Sequence, residues 1–188
     1  VVSLLRDAMP LVDRGKEDTQ YLRAFLLHDL GVAELSAGNF PNAISSLGEA
    51  LQIWTNLVGS EHTVTADSAV ELAWCQFRLG NTADAIRLID TPIAVFRDAG
   101  SERTLSLARA YEIRGLCAMQ TGPMKAAEDS LTATIEIRRS KLGDDHSDVA
   151  RSWHNMGVFY YVRGDLKIAK TLFQKAAAVW ETHEKFDD

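Results

Sequence analysis

The sequence predicts an all-α fold, a solenoid of antiparallel helix pairs, and three columns of small residues predict it. Gly38, Gly80, Gly122 and Gly164 recur at one constant interval. The same step carries Ala43 to Ala85, Ala127 and Ala169, and Ala24 to Ala66, Ala108 and Ala150. Three columns held in register over four copies mark stacked supersecondary units, each burying its apolar face against its neighbours. Length in such an array counts repeats and not cores, so residues 1–188 are read as one array without a domain boundary.

The last repeat shows the unit most completely. It reads Trp153-x-x-Met156-Gly157-x-x-Tyr160, then Gly164, Ala169, Phe173 and Ala176. That is one helix, a tight Gly turn, and a second helix whose small and aromatic residues interlock with the first. The spacing resembles the tetratricopeptide repeat (TPR), with its aromatic, Leu-Gly pair, Tyr, Ala and Phe at these intervals. The resemblance implies a right-handed superhelix whose first helices line a concave groove. The period, about 42 residues against the usual ~34, adds roughly two helical turns per pair.

Taken in order, the opening segment 1–14 shifts by one period onto 43–56, with Val2 on Ile44, Leu5 on Leu47, Ala8 on Ala50 and Leu11 on Ile53. It is therefore expected to be the second helix of a truncated repeat in a longer protein. Residues 15–19 form the connector. Four repeats follow at about 20–59, 62–100, 102–143 and 146–185. Repeat one has Leu26, Leu27, Leu30 and Leu35 at helical spacing. Its second helix starts at Pro41, where the missing N–H costs nothing in a first turn, and Pro123 is expected to act likewise. Repeat two spans helices from His62 to Gly80 and from Thr82 to Asp98. Pro92 falls inside the latter, in the column of Ala50 and Ala176, and a kink or break between Leu88 and Ile93 is expected. Repeat three runs from Glu102 to Thr121 and from Pro123 to Leu142. Repeat four runs from His146 to Arg163 and from Asp165 to Lys185, giving nine helices and no strand.

The connectors narrow the resemblance. Gly143-Asp144-Asp145-His146-Ser147-Asp148-Val149-Ala150 and Gly59-Ser60-Glu61-His62-Thr63-Val64-Thr65-Ala66 are similar to the Gly, acid, His, aliphatic, Ala connector of kinesin-light-chain-type repeats, with Ser147 and Thr63 where that family usually has Pro. In kinesin light chains, Asn residues on the inner helices hold a peptide backbone. The corresponding column here is Asp29, Glu71, Ile113 and Asn155, so the resemblance assigns that role to Asn155.

Composition excludes several function classes. With 26 acids against 20 bases the chain carries a net charge of −6, which opposes the counterion-releasing contacts that non-specific nucleic-acid binding needs. No apolar run approaches the ~20 residues that span a bilayer. Two cysteines do not make a disulfide framework, and a reducing, cytoplasmic setting is expected. Cys75 and Cys117 share one column and are too far apart to bond. The five histidines are spread over the array, so no metal site is expected; His62 and His146 stand where helices begin. No strand-borne phosphate loop, no placed nucleophile and no cofactor motif is present, and the chain is read as a binding module and not an enzyme.

The candidate groove comes from the inner-facing columns of the four first helices. Phe25 is followed by Asp67, Arg109 and Arg151; His28 by Val70, Glu112 and His154; Val32 by Trp74, Leu116 and Val158; Ser36 by Arg78, Gln120 and Val162. Acid collects in the first half with Asp29, Asp67 and Glu71, and base in the second with Arg109 and Arg151. Trp74, Leu116 and Val158 are the candidate apolar anchors. Two alternatives stand for Arg109 and Arg151: capture of a partner's carboxylate or phosphate, or pairing on their own helices with Glu112 and Asp148. Arg114 intrudes on the column of Leu30, Leu72 and Met156, its head expected to reach water or Glu112. A protein or peptide partner is implied, either in a scaffold or in a regulatory sensor of a larger signalling protein; self-association through the repeat ends is a further alternative.

Overall fold

The computed structural model describes residues 1–12, 17–100 and 104–184. Among them are nine α-helices, one 3₁₀ turn and no strand: α1 (Val2–Ala8), the 3₁₀ turn Met9–Leu11, α2 (Glu17–Ser36), α3 (Phe40–Val58), α4 (Thr63–Arg78), α5 (Thr82–Asp98), α6 (Leu105–Thr121), α7 (Met124–Leu142), α8 (Ser147–Val162) and α9 (Leu166–Glu184). The all-α helix-pair architecture is as the columns predict. Contacts gather the chain into two compact units, Val1–Gly100 and Ser101–Asp188. In the first, α2 packs on α3, α3 on α4 and α4 on α5; in the second, α6 packs on α7, α7 on α8 and α8 on α9.

The glycine columns have two separate causes. Gly38, Gly80, Gly122 and Gly164 all adopt positive φ, between 76° and 105°, where a side chain would meet the following backbone. They turn the chain between the helices of each pair. Gly31, Gly115 and Gly157 lie inside first helices and permit close approach instead. A Cβ on Gly157 would stand 2.6 Å from Phe173, and one on Gly115 would stand 2.9 Å from Leu131. Both partners lie at the same offset along the chain, so one recurring contact fixes how closely the paired helices pack.

Helix starts follow a third column. The Nδ1 of His62 accepts from the Val64 N–H at 3.3 Å, and that of His146 from Asp148 at 3.1 Å. Thr104, in the same column, caps α6 by accepting from Leu107 at 3.2 Å. These acceptors satisfy N–H groups that a first turn leaves without helical partners. Burial then ties the pairs together. Ala43, Leu47, Leu72 and Cys75 form one cluster, Ala24, Leu27, Ala50 and Trp54 a second, and Ala118, Ala127, Leu131, Met156 and Phe159 a third. Side chains the size of Leu47 or Phe159, with no exposed surface, each contribute roughly 1.5–3 kcal/mol by leaving water. Cys75 and Cys117 are buried thiols with no disulfide between them, and burial pushes the Cys117 thiol up to about 11.

Several expectations are corrected. The opening helix ends at Ala8, and Pro10 lies in a 3₁₀ turn, because its ring cannot follow a carbonyl four residues back into an α-helix. The segment thus covers only part of a second helix. Helix α2 starts at Glu17 rather than at Gln20. Pro123 stands one residue before α7, not in its first turn. Most notably, α5 runs without a break from Thr82 to Asp98 through a buried Pro92. Leu88, Thr91 and Pro92 line a cavity of about 220 Å³ shared with Thr55 and Thr65. The aromatic columns are also less uniformly buried than expected: Tyr161 is 62% and Trp180 37% exposed. The expected start of repeat three at Glu102, part of the 15–19 connector and the expected end of repeat four at Lys185 fall outside the described residues.

Candidate functional site

In the first unit the candidate residues come from α2 and α4. Phe25 is half exposed and stands edge-on to the buried Trp54, with ring centroids 4.8 Å apart. Asp29 is exposed, one turn before the half-buried Val32, which packs against the Ala43–Leu47–Leu72–Cys75 cluster. His28 Nδ1 and Ser68 Oγ share a hydrogen bond of 2.9 Å. On α4, Asp67, Glu71 and Trp74 are each half-buried. Trp74 stacks on Phe77 at 5.7 Å, and the Arg78 guanidinium lies 5.6 Å from its ring and 5.1 Å from that of Phe40. A cation over two rings orders this surface without removing it from solvent.

In the second unit the structure brings together residues that the sequence kept in different roles. Glu112, expected to line a groove, is instead wholly buried. Arg138 of α7 grips both of its oxygens, Nη1 to Oε1 at 3.0 Å and Nη2 to Oε2 at 2.6 Å, and donates to Ser152 Oγ at 2.8 Å. Asn155 Nδ2 adds a bond of 2.8 Å to Glu112 Oε1. Arg151 Nη2 pairs with Asp148 at 3.0 Å while its Nε lies 3.6 Å from Glu112. Burial alone would push the Glu112 carboxyl up, yet the Arg138 hydrogen bond and the charges of Arg138, Arg151 and Arg109 hold it below the ordinary glutamate value. This is a buried ion network with bidentate geometry, in which Arg151 is paired on its own helix and lies across from Glu112 of α6.

Arg109 is half-buried on α6, beside apolar and aromatic groups. Leu116 and Val158 are half-buried on α6 and α8. His154 is exposed, its ring 5.4 Å from Phe173 and 5.8 Å from Trp180. The column of His28, Val70, Glu112 and His154 therefore does not line one surface, since Val70 is as buried as Glu112. Arg114 does not reach Glu112 either. Its Nε donates to Ser130 Oγ at 3.0 Å and its guanidinium lies 4.8 Å from the Tyr111 ring.

Sequence reasoning missed the basic half of the network. Arg138 occupies the column of Trp54, Phe96 and Trp180, opposite the column that holds Glu112. Repeat three thus places an ion pair where repeat two has the apolar pair Val70 and Phe96, and an Arg among aromatics was the available signal. A second buried acid, Glu34, takes Arg6 at 2.7 Å and Ser46 Oγ at 3.0 Å, and buried Arg23 pairs with Glu49. Among the described residues no group of three or more His, Cys, Asp or Glu could hold a metal, and no helix is long and apolar enough to cross a membrane.

The fold defines a helical-repeat protein. A tetratricopeptide repeat family model matches residues 22–91 and 106–183, and the chain belongs to that family. It is 24% identical over 141 residues to kinesin light chain-related protein 2 of Arabidopsis thaliana, covering 72% of this chain and 21% of that protein. It is 27% identical over 146 residues to superkiller protein 3 of Schizosaccharomyces pombe, covering 78% of this chain and 9% of that one. The chain thus spans a small part of these curated relatives. Among solved structures it is similar in fold to BtubC of P. vanneervenii, with a TM-score of 0.78 at 18% identity over 97% of this chain and 72% of that one. A Rap protein solved with Competence and Sporulation Factor gives 0.81 at 18% identity, over 97% of this chain and 48% of that one. Repeats of this family serve protein–protein interaction, as scaffolds that are generally not enzymes.

Proposed function

We propose that the chain binds a peptide or protein segment on the inner-helix face of its repeats, with Trp74 as the principal anchor. The observation that carries this reading is the state of Trp74: a large aromatic left only partly buried on a first helix, stacked on Phe77 and flanked by Arg78, where a partner side chain can complete its burial. Pre-ordered aromatics anchor protein interfaces because they add much apolar area at little entropic cost. Val32 extends the apolar strip on α2, and Leu116 and Val158 form its counterpart on α6 and α8. Phe25, Asp29, Asp67, Glu71 and Arg78 flank the first strip, and Arg109, Arg151, His154 and Asn155 the second. Such charges set register and on-rate more than affinity. Glu112 acts from inside, holding Asn155 and Arg151 in place.

A second reading, a regulatory sensor within a larger protein, is favoured by the likeness to the Rap protein solved with its bound factor. Peptides selected from a displayed random library on the wild-type chain should lose at least about tenfold in affinity for Trp74→Ala. Equal binding by both chains would sink the Trp74 site.

A further inference from the structure

Position 69 departs from its own column. One repeat period separates Leu27, Ala69, Tyr111 and Trp153, so repeat two carries Ala where the other repeats carry a large side chain. In repeat four, Trp153 packs against Ala150, Ala176 and Val179. In repeat one, Leu27 clusters with Ala24 and Ala50. The counterparts of these paired alanines in repeat two are Ala66 and Pro92. Both line, together with Ala69, the cavity of about 220 Å³ between α3, α4 and α5. The cavity thus opens on the small residues that hold a large side chain in repeats one and four.

Its mouth differs as well. Two periods on, the rim positions of Thr55, Ser60 and Thr91 are Arg139, Asp144 and Lys175. There Arg139 pairs with Asp144 at 2.6 Å, and Lys175 Nζ lies 5.7 Å from the Trp153 ring. In the first unit the three short hydroxyl residues are exposed, over a floor of buried Thr65, Ala66, Ala69 and Pro92. Arg87, also on the rim, is held by Asp84 of its own helix. The Thr55 hydroxyl donates to the Leu51 carbonyl at 2.7 Å, which leaves its oxygen to accept from a ligand N–H. An engineered apolar cavity of about 150 Å³ holds benzene, so this one has space for a larger ring system.

We propose that the cavity binds one planar aromatic group of indole size, its ring on the alanine floor and its polar edge toward the threonine rim. A free small molecule and a tryptophan side chain of a partner share this chemistry. The site is independent of the Trp74 reading, because Ala69 lies five residues before Trp74, about 140° away around α4.

The test is a titration of the 188-residue chain with indole, followed through backbone amide resonances. Saturable shifts are expected, centred on Thr65, Ala66, Ala69 and Thr91. Ala69→Trp, which copies repeat four, should keep its helix content and lose the shifts. Ala69→Leu, which copies repeat one, should lose them too, and it serves if the larger ring prevents folding. A parallel titration with N-acetyltryptophanamide separates the two sources: binding weaker than that of indole assigns a free molecule, and binding at least as tight assigns a side chain. No saturable shift with either compound overturns the proposal. Shifts that persist in the folded variants overturn it as well, as do shifts centred on Trp74.

Discussion

At the scale of single residues, the Glu112–Arg138 pair is the sharpest departure from the repeat. Removing a carboxylate or guanidinium from water costs more than a lone contact returns, and only the bidentate geometry and the added Asn155 and Ser152 bonds compensate. Breaking one side leaves a buried charge alone, so Arg138→Met should destabilise the protein by about 3–5 kcal/mol. Repeat two fills the same two positions with Val70 and Phe96. The double variant E112V/R138F, which copies them, should recover most of that loss in urea titration; a double variant no better than the single would refute the equivalence of the columns. The network also fixes an acid limit. The folded Glu112 carboxyl lies below its ordinary value, so its stabilisation is complete above that value and is lost as pH falls through the folded one. Thermal melts should show wild type losing this increment in acid, and E112V/R138F not losing it.

Among the helices, α5 is the one that breaks a local rule. A proline in a helix interior removes a backbone bond and crowds the carbonyl four residues back, at about 3 kcal/mol. The helix continues nonetheless, and its packing on α4 holds it in place. The equivalent positions are Ala50 and Ala176, both buried. Pro92→Ala should therefore stabilise the chain, by about 1–3 kcal/mol, read as a higher melting temperature. A lower one would mean that the ring's packing outweighs the restored hydrogen bond.

Across the whole molecule, repeat proteins have stability that is close to a sum of unit and nearest-neighbour terms. Damage at Glu112 should then stay local. Amide exchange in Glu112→Gln should quicken through α6, α7 and α8, which carry the network, while α2 and α3 keep their protection. Uniform quickening along the chain would show a cooperativity that nearest-neighbour contacts do not provide.

Sequence by itself determined the architecture, since spacing alone dictates it. A column of glycines at positive φ, a column of helix caps and a column of small residues at crossing points each require a residue type at a fixed interval, so helix count, pairing and most boundaries are readable from the chain. Face assignments based on one helix held only in part. The family resemblance assigned Trp74, Leu116 and Val158 to the inner face, and periodicity could not separate Glu112, fully buried, from Asp29, exposed, because both sit on first helices and differ only in what the neighbouring helices bring to them. Tertiary structure alone decided that Arg138, carried on the next helix, reaches Glu112 and makes its burial tolerable, and that Asn155 points at that carboxylate. Burial of a charge depends on a partner from another helix, and such distance-spanning pairs leave no period in the sequence.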